Sequence, residues 1–156
     1  MPFAGEVVSA SDTTFPYCFA TQGSAQSLAN NTLTASTLDA ESEDSLSIHD
    51  TVTLNTRFVI GRKLGVWLVT GLVTYATNAT GTRRAVIQLN GSDVNGAHSI
   101  VPPGAALGTA QATGMVRATA STDYVELAGL QNSGGALNTT VSGSYRSSLA
   151  LTWIGA

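Results

Sequence analysis

Five carboxylates, Asp39, Glu41, Glu43, Asp44 and Asp50, fall within twelve residues of this 156-residue chain, a density of oxygen ligands that could hold calcium. The Asp/Asn ladder and central glycine of a known calcium loop are absent, so the run reads as a solvated loop, with an ion as the lesser alternative. His49 and His98 are the only histidines. Each lacks the further donors at ligand spacing that zinc requires, and no metal or cofactor is expected. Serines abound, but none sits in a Gly-x-Ser-x-Gly elbow or beside an oriented histidine, which argues against nucleophilic hydrolysis. Asp123 and Glu126 could pass for the paired acids of a glycosidase, but on a strand their spacing points them to opposite faces. The chain is expected to be non-enzymatic.

Other reactive side chains have structural readings. Cys18, the sole cysteine, lies in the apolar run 15–19 with no basic neighbour to lower its pKa, so it reads as a small buried hydrophobe. Arg83 and Arg84 alternate across a strand. One is expected in water and the other paired with a carboxylate such as Glu126, or else in a contact between subunits, where the guanidinium fork is favoured. The Asn-x-Ser/Thr triplets at Asn30, Asn78, Asn90 and Asn138 are chance matches in a chain rich in those residues. Trp67, Tyr75, Tyr124, Tyr145 and Trp153 could line a sugar groove or an interface, with core packing the first expectation.

Composition narrows the partners. A net charge of −3 with one lysine, Lys63, is unsuited to nucleic acid, whose phosphates are bound by clustered Lys and Arg. No cationic start precedes an apolar core at the N-terminus, and no apolar run approaches the ~20 residues of a membrane span, so a soluble, unexported protein without membrane contact is expected. Charged residues are only 11% of the chain. A surface so poor in charge suits flanks that touch other subunits.

The elements that must carry these residues are strands. Between residues 65 and 75 the odd positions Trp67, Val69, Val73 and Tyr75 are apolar and the even ones mixed, the alternation of a sheet with unequal faces. Residues 51–60 alternate similarly and are predicted as a strand. Residues 77–81 are read as the turn of a hairpin, and Asn90-Gly91 as a tight turn because both tolerate positive φ. Residues 101–108, with Pro102 and Pro103, are a loop. Residues 115–119, 124–130 and 146–154 complete eight to ten strands, and the economical arrangement is an all-β, two-sheet antiparallel jelly-roll sandwich. Residues 1–14 read as an arm preceding one domain, 15–156.

The segments Gly65-Val66-Trp67-Leu68-Val69-Thr70-Gly71, Asn78-Ala79-Thr80-Gly81-Thr82-Arg83-Arg84, Asn90-Gly91-Ser92, Asp123-Tyr124-Val125-Glu126-Leu127 and Gln131-Asn132-Ser133-Gly134, with a closing strand at 148–154, occur in an order that resembles the jelly-roll heads of the complement component 1q and tumour-necrosis-factor superfamily. The version here is most similar to variants found in bacteriophage virion proteins. That resemblance implies a TNF-like sandwich assembling as a compact homotrimer. Thr122 stands before Asp123 where the family often has glycine, a departure at that turn. Trimerisation would cover outward apolar residues; the expected interface members are Tyr124, Leu127, Tyr145, Leu149 and Arg83. The implied function is a surface knob of a phage virion, most simply a capsid decoration protein assembled in the host cytoplasm. Its arm, with Phe3, Val7 and Val8 as anchors, would dock on the major capsid protein or another virion protein by strand addition or groove insertion. The alternative is a receptor-binding or carbohydrate-adhesion head of a tail or spike, recognising a host-surface glycan.

Overall fold

The computed structural model describes residues 15–104 and 107–156, so the expectations for Phe3, Val7 and Val8 lie outside the described residues. Among the described residues eleven strands follow in chain order: β1 (Tyr17–Thr21), β2 (Ser27–Leu28), β3 (Thr34–Ala35), β4 (Ala40–Asp44), β5 (Gly65–Tyr75), β6 (Arg83–Leu89), β7 (Ser92–Val101), β8 (Gly108–Ala118), β9 (Val125–Gln131), β10 (Leu137–Asn138) and β11 (Ser148–Gly155). They form a five-stranded sheet, β4-β1-β11-β5-β8, facing a four-stranded sheet, β3-β9-β6-β7, with the small pair β10-β2 alongside. All named strand pairs are antiparallel. Among the described residues the only helix is one 3-10 turn, Ile60–Arg62.

The alternation read in β5 decides which way this strand faces. Trp67, Val69, Val73 and Tyr75 are fully buried, and Leu68 is exposed. The sheets approach closely at Gly71, where a Cβ would lie 2.6 Å from Leu127 Cδ1 and 3.1 Å from Leu149 Cδ1. Only glycine lets the backbone approach so near. Buried polar tips keep partners: Trp67 Nε1 donates to Lys63 O at 3.0 Å, and the Tyr75 hydroxyl reaches Arg84 O at 2.6 Å. Burial pushes the Tyr75 phenol above its ordinary range. Asn90 (φ 52°) and Gly91 (φ 78°) both take the left-handed conformation and turn β6 into β7, as their types require.

Three local expectations are corrected. Residues 51–60 are bends and turns, with a bridge at Phe58. The Asp50 carboxylate accepts hydrogen bonds from Val52 N (2.8 Å) and Thr53 N (3.1 Å), folding the backbone locally and drawing these donors away from a ladder. Those two bonds hold its carboxyl below the usual range, and Val52 is left 83% exposed. Residues 77–81 close no hairpin, because β5 and β6 belong to opposite sheets; the segment is a crossover. The acidic run, read as a loop, begins as a strand, β4, on the edge of the five-stranded sheet.

Candidate assembly surface

The residues expected at a subunit interface do not share a surface. Leu127 and Leu149 are fully buried and converge on Gly71 from opposite sheets, so they belong to the subunit's own core. Arg83 is also buried. Its guanidinium donates to the carbonyls of Asn78, Thr80 and Thr82, each at 3.0 Å, and lies over the Tyr75 ring. Its work is to fasten the crossover. Tyr124 is half-buried beneath Arg57, whose guanidinium carbon lies 4.4 Å from the ring centre. Tyr145 alone of the five is widely open, at 59% exposure. The expected pairing of Glu126 with Arg83 or Arg84 is corrected as well. Glu126 takes Thr56 Oγ1 (2.8 Å) and Arg57 Nε (3.4 Å), while Arg84 pairs with Asp93 at 3.2 Å.

A different face gathers the exposed apolar groups. Strand register places Tyr17, Thr152, Leu68 and Met115 in one row across β1, β11, β5 and β8. Phe19, Ala150, Thr70 and Thr113 form the next row, and Thr21, Ser148, Leu72 and Gln111 the third. Directly paired residues share a face, and this one looks away from the core, with Met115 66%, Tyr17 42% and Leu68 41% exposed. None of the twelve carries a charge; charges stand only at the margins, Glu43 paired with Phe19 on β4 and the exposed Arg117 paired with Val66 one row beyond Met115. Thr70 Oγ1 and Thr113 Oγ1 lie 3.3 Å apart, so these hydroxyls have a partner when water leaves. Composition hinted at such a face, but which strands are neighbours decides where it lies.

Below this face Phe15 packs near Trp153, ring centres 6.4 Å apart, and Lys63 Nζ sits 4.8 Å from the Trp153 ring centre. At the β4 edge, ligand atoms of Cys18, Glu41 and Asp44 lie within 4.8 Å of one another. The carboxylates are engaged: Glu41 contacts His49 Nδ1 at 3.1 Å, and Asp44 accepts from Leu46 N (3.2 Å) and His49 N (2.9 Å). Burial, then the charges of Asp44 and Glu41, pushes the Cys18 thiol far up, which suits the small buried hydrophobe expected of it. Asp123 is the opposite case. The N–H groups of Ala120 and Thr119 and the Asn90 amide hold its carboxyl at about 2.

No protein-family model and no curated protein sequence matches the chain. Solved structures do. Murine APRIL at pH 5.0 superposes with a TM-score of 0.66 over 90% of this chain and 100% of its own, at 11% identity. Eiger TNF from S. frugiperda gives 0.56 over 90% and 93%, at 16% identity. PRD1 vertex protein P5 gives 0.55 over 90% and 97%, at 18% identity. At such identities the likeness is one of fold: the chain is a TNF-like jelly roll.

Proposed function

We propose that the chain is a non-enzymatic structural protein of a phage particle: a homotrimeric surface knob, serving as a capsid decoration protein. The observation that carries this reading is the apolar centre of the outer face of the five-stranded sheet, with Tyr17, Leu68 and Met115 exposed in one row and charges only at its margins, at Glu43 and Arg117. Apolar surface of this kind is stabilised by covering, at roughly 25 cal/mol per Å² removed from water. Three copies around one axis cover it when each meets its neighbours through two different patches, which closes a ring. Tyr145, exposed on the turn before β11, is kept as a further contact residue, while Tyr124, which precedes β9 of the opposite sheet, takes no part. The fold likeness to a phage vertex protein supports a place on a virion surface. Residues 1–14 attach at Phe15, beside Trp153, and serve as the tether to the major capsid protein or another virion protein.

Light scattering on the purified chain is expected to give three times the subunit mass, and a monomer would overturn the assembly reading. Deleting residues 1–11 is expected to leave that trimer intact and to abolish incorporation into particles. Retained incorporation removes the tether; binding of the intact trimer to host cells or glycans would favour an adhesion head instead.

A further inference from the structure

The chain contains two Asn-Gly pairs, Asn90-Gly91 and Asn95-Gly96, and the fold treats them oppositely. Glycine after asparagine exposes the main chain to a known reaction, because no Cβ hinders the approach of its amide nitrogen to the asparagine carboxamide. At Asn90 that carboxamide is clamped: Nδ2 donates to Asp123 Oδ1 at 2.9 Å and Oδ1 accepts from Tyr124 N at 3.0 Å. At Asn95 no side-chain hydrogen bond is formed among the described residues. The β6–β7 ladder pairs Val86 with His98 and Gln88 with Asp93, so residues 94–97 lie outside its register, bulged opposite Ile87. Asn95 and Gly96 are exposed, Gly96 has φ 80°, and a Cβ built on it would meet nothing within 4 Å. Among the described residues no side-chain partner holds the carboxamide away from the following nitrogen.

We propose that Asn95-Gly96 is a site of spontaneous deamidation, a slow covalent modification of β7 from which Asn90-Gly91 is protected. The Gly96 amide nitrogen bonds to Asn95 Cγ, the Cγ–Nδ2 bond breaks, and Nδ2 leaves as ammonia with the amide proton. Water then adds to one of the two carbonyls of the five-membered ring, opening it to aspartate or isoaspartate. Either product puts a new carboxylate on an edge strand, and isoaspartate also lengthens the main chain by one carbon. The change falls two residues before Ala97, which packs so tightly on β8 that a Cβ at Gly114 would lie 2.6 Å from the Ala97 Cβ.

The test is to age the full folded chain in mildly alkaline buffer and map its peptides by mass spectrometry, with the urea-unfolded chain as control. In the folded chain, residue 95 is expected to convert roughly tenfold or more faster than residue 90, since the two bonds of the clamp must break first. In urea the two rates should converge, and Asn95→Gln should remove the fast phase while leaving the fold unchanged. Equal rates at 90 and 95 in the folded chain, or conversion at 95 only after unfolding, would overturn the proposal. The outcome is independent of whether the chain is a trimer.

Discussion

The outer faces of the two sheets are built on the same alternation and are finished in opposite ways. On the four-stranded sheet the outward positions carry Arg84 paired with Asp93, Gln88 bonded to Asp93 at 2.9 Å, and Glu126 bonded to Thr56 and Arg57. On the five-stranded sheet the corresponding rows hold threonines, small residues and the exposed Tyr17, Phe19, Leu68 and Met115. The first face pairs most of its charged groups within the subunit, though Arg84 Nε has no partner and Ile100, opposite Arg84, stands exposed as a single apolar group. The second gains by being covered, which is why assembly is assigned to it.

The strongest way to break this contrast is to charge the second face. Met115→Arg is expected to convert the assembly to monomers in light scattering, because three guanidinium groups would be desolvated or brought together. His98→Arg, an added charge on the exposed side of β7, should leave the mass unchanged. Next in size are Leu127→Ala and Leu149→Ala, each expected to cost about 2–5 kcal/mol of subunit stability in urea denaturation. Were either an interface residue, the loss would appear as dissociation with the subunit still folded. Asp123→Ala should cost about 1–3 kcal/mol near neutral pH, since it orphans the Thr119 and Ala120 donors. Its carboxyl pKa is depressed to about 2, so its contribution is present above the ordinary carboxylate value of about 3.9 and is lost as pH falls toward 2. Wild type and variant should therefore converge in acid. The smallest effect belongs to Arg84→Ala, which opens a partly exposed ion pair and should cost about 0.2–1 kcal/mol, less at high salt.

How much of the fold is legible in the sequence depends on how local its cause is. β5 was legible because a strand with one buried face writes its orientation into alternate positions. Asn90-Gly91 was legible because the turn needs two residues that tolerate positive φ. β9 was not, since all but one of its seven residues are buried and alternation then carries no direction. Leu127 was thus assigned outward when it points into the core. The crossover at 77–81 and the hairpin it was taken for have similar turn residues; they differ in which distant strands pair, and neighbours in the chain do not encode that. The exposed apolar face was visible only as a shortage of charge in the composition, with its location set by the order β4-β1-β11-β5-β8.

That order places β11 between β1 and β5, so the strand made of residues 148–155 joins the two halves of the face. A nascent polypeptide halted anywhere before Ser148 possesses Tyr17 and Leu68 yet has no means of holding them in one row. Ribosomal synthesis must therefore pass Ser148 before Tyr17, Leu68 and Met115 can stand side by side.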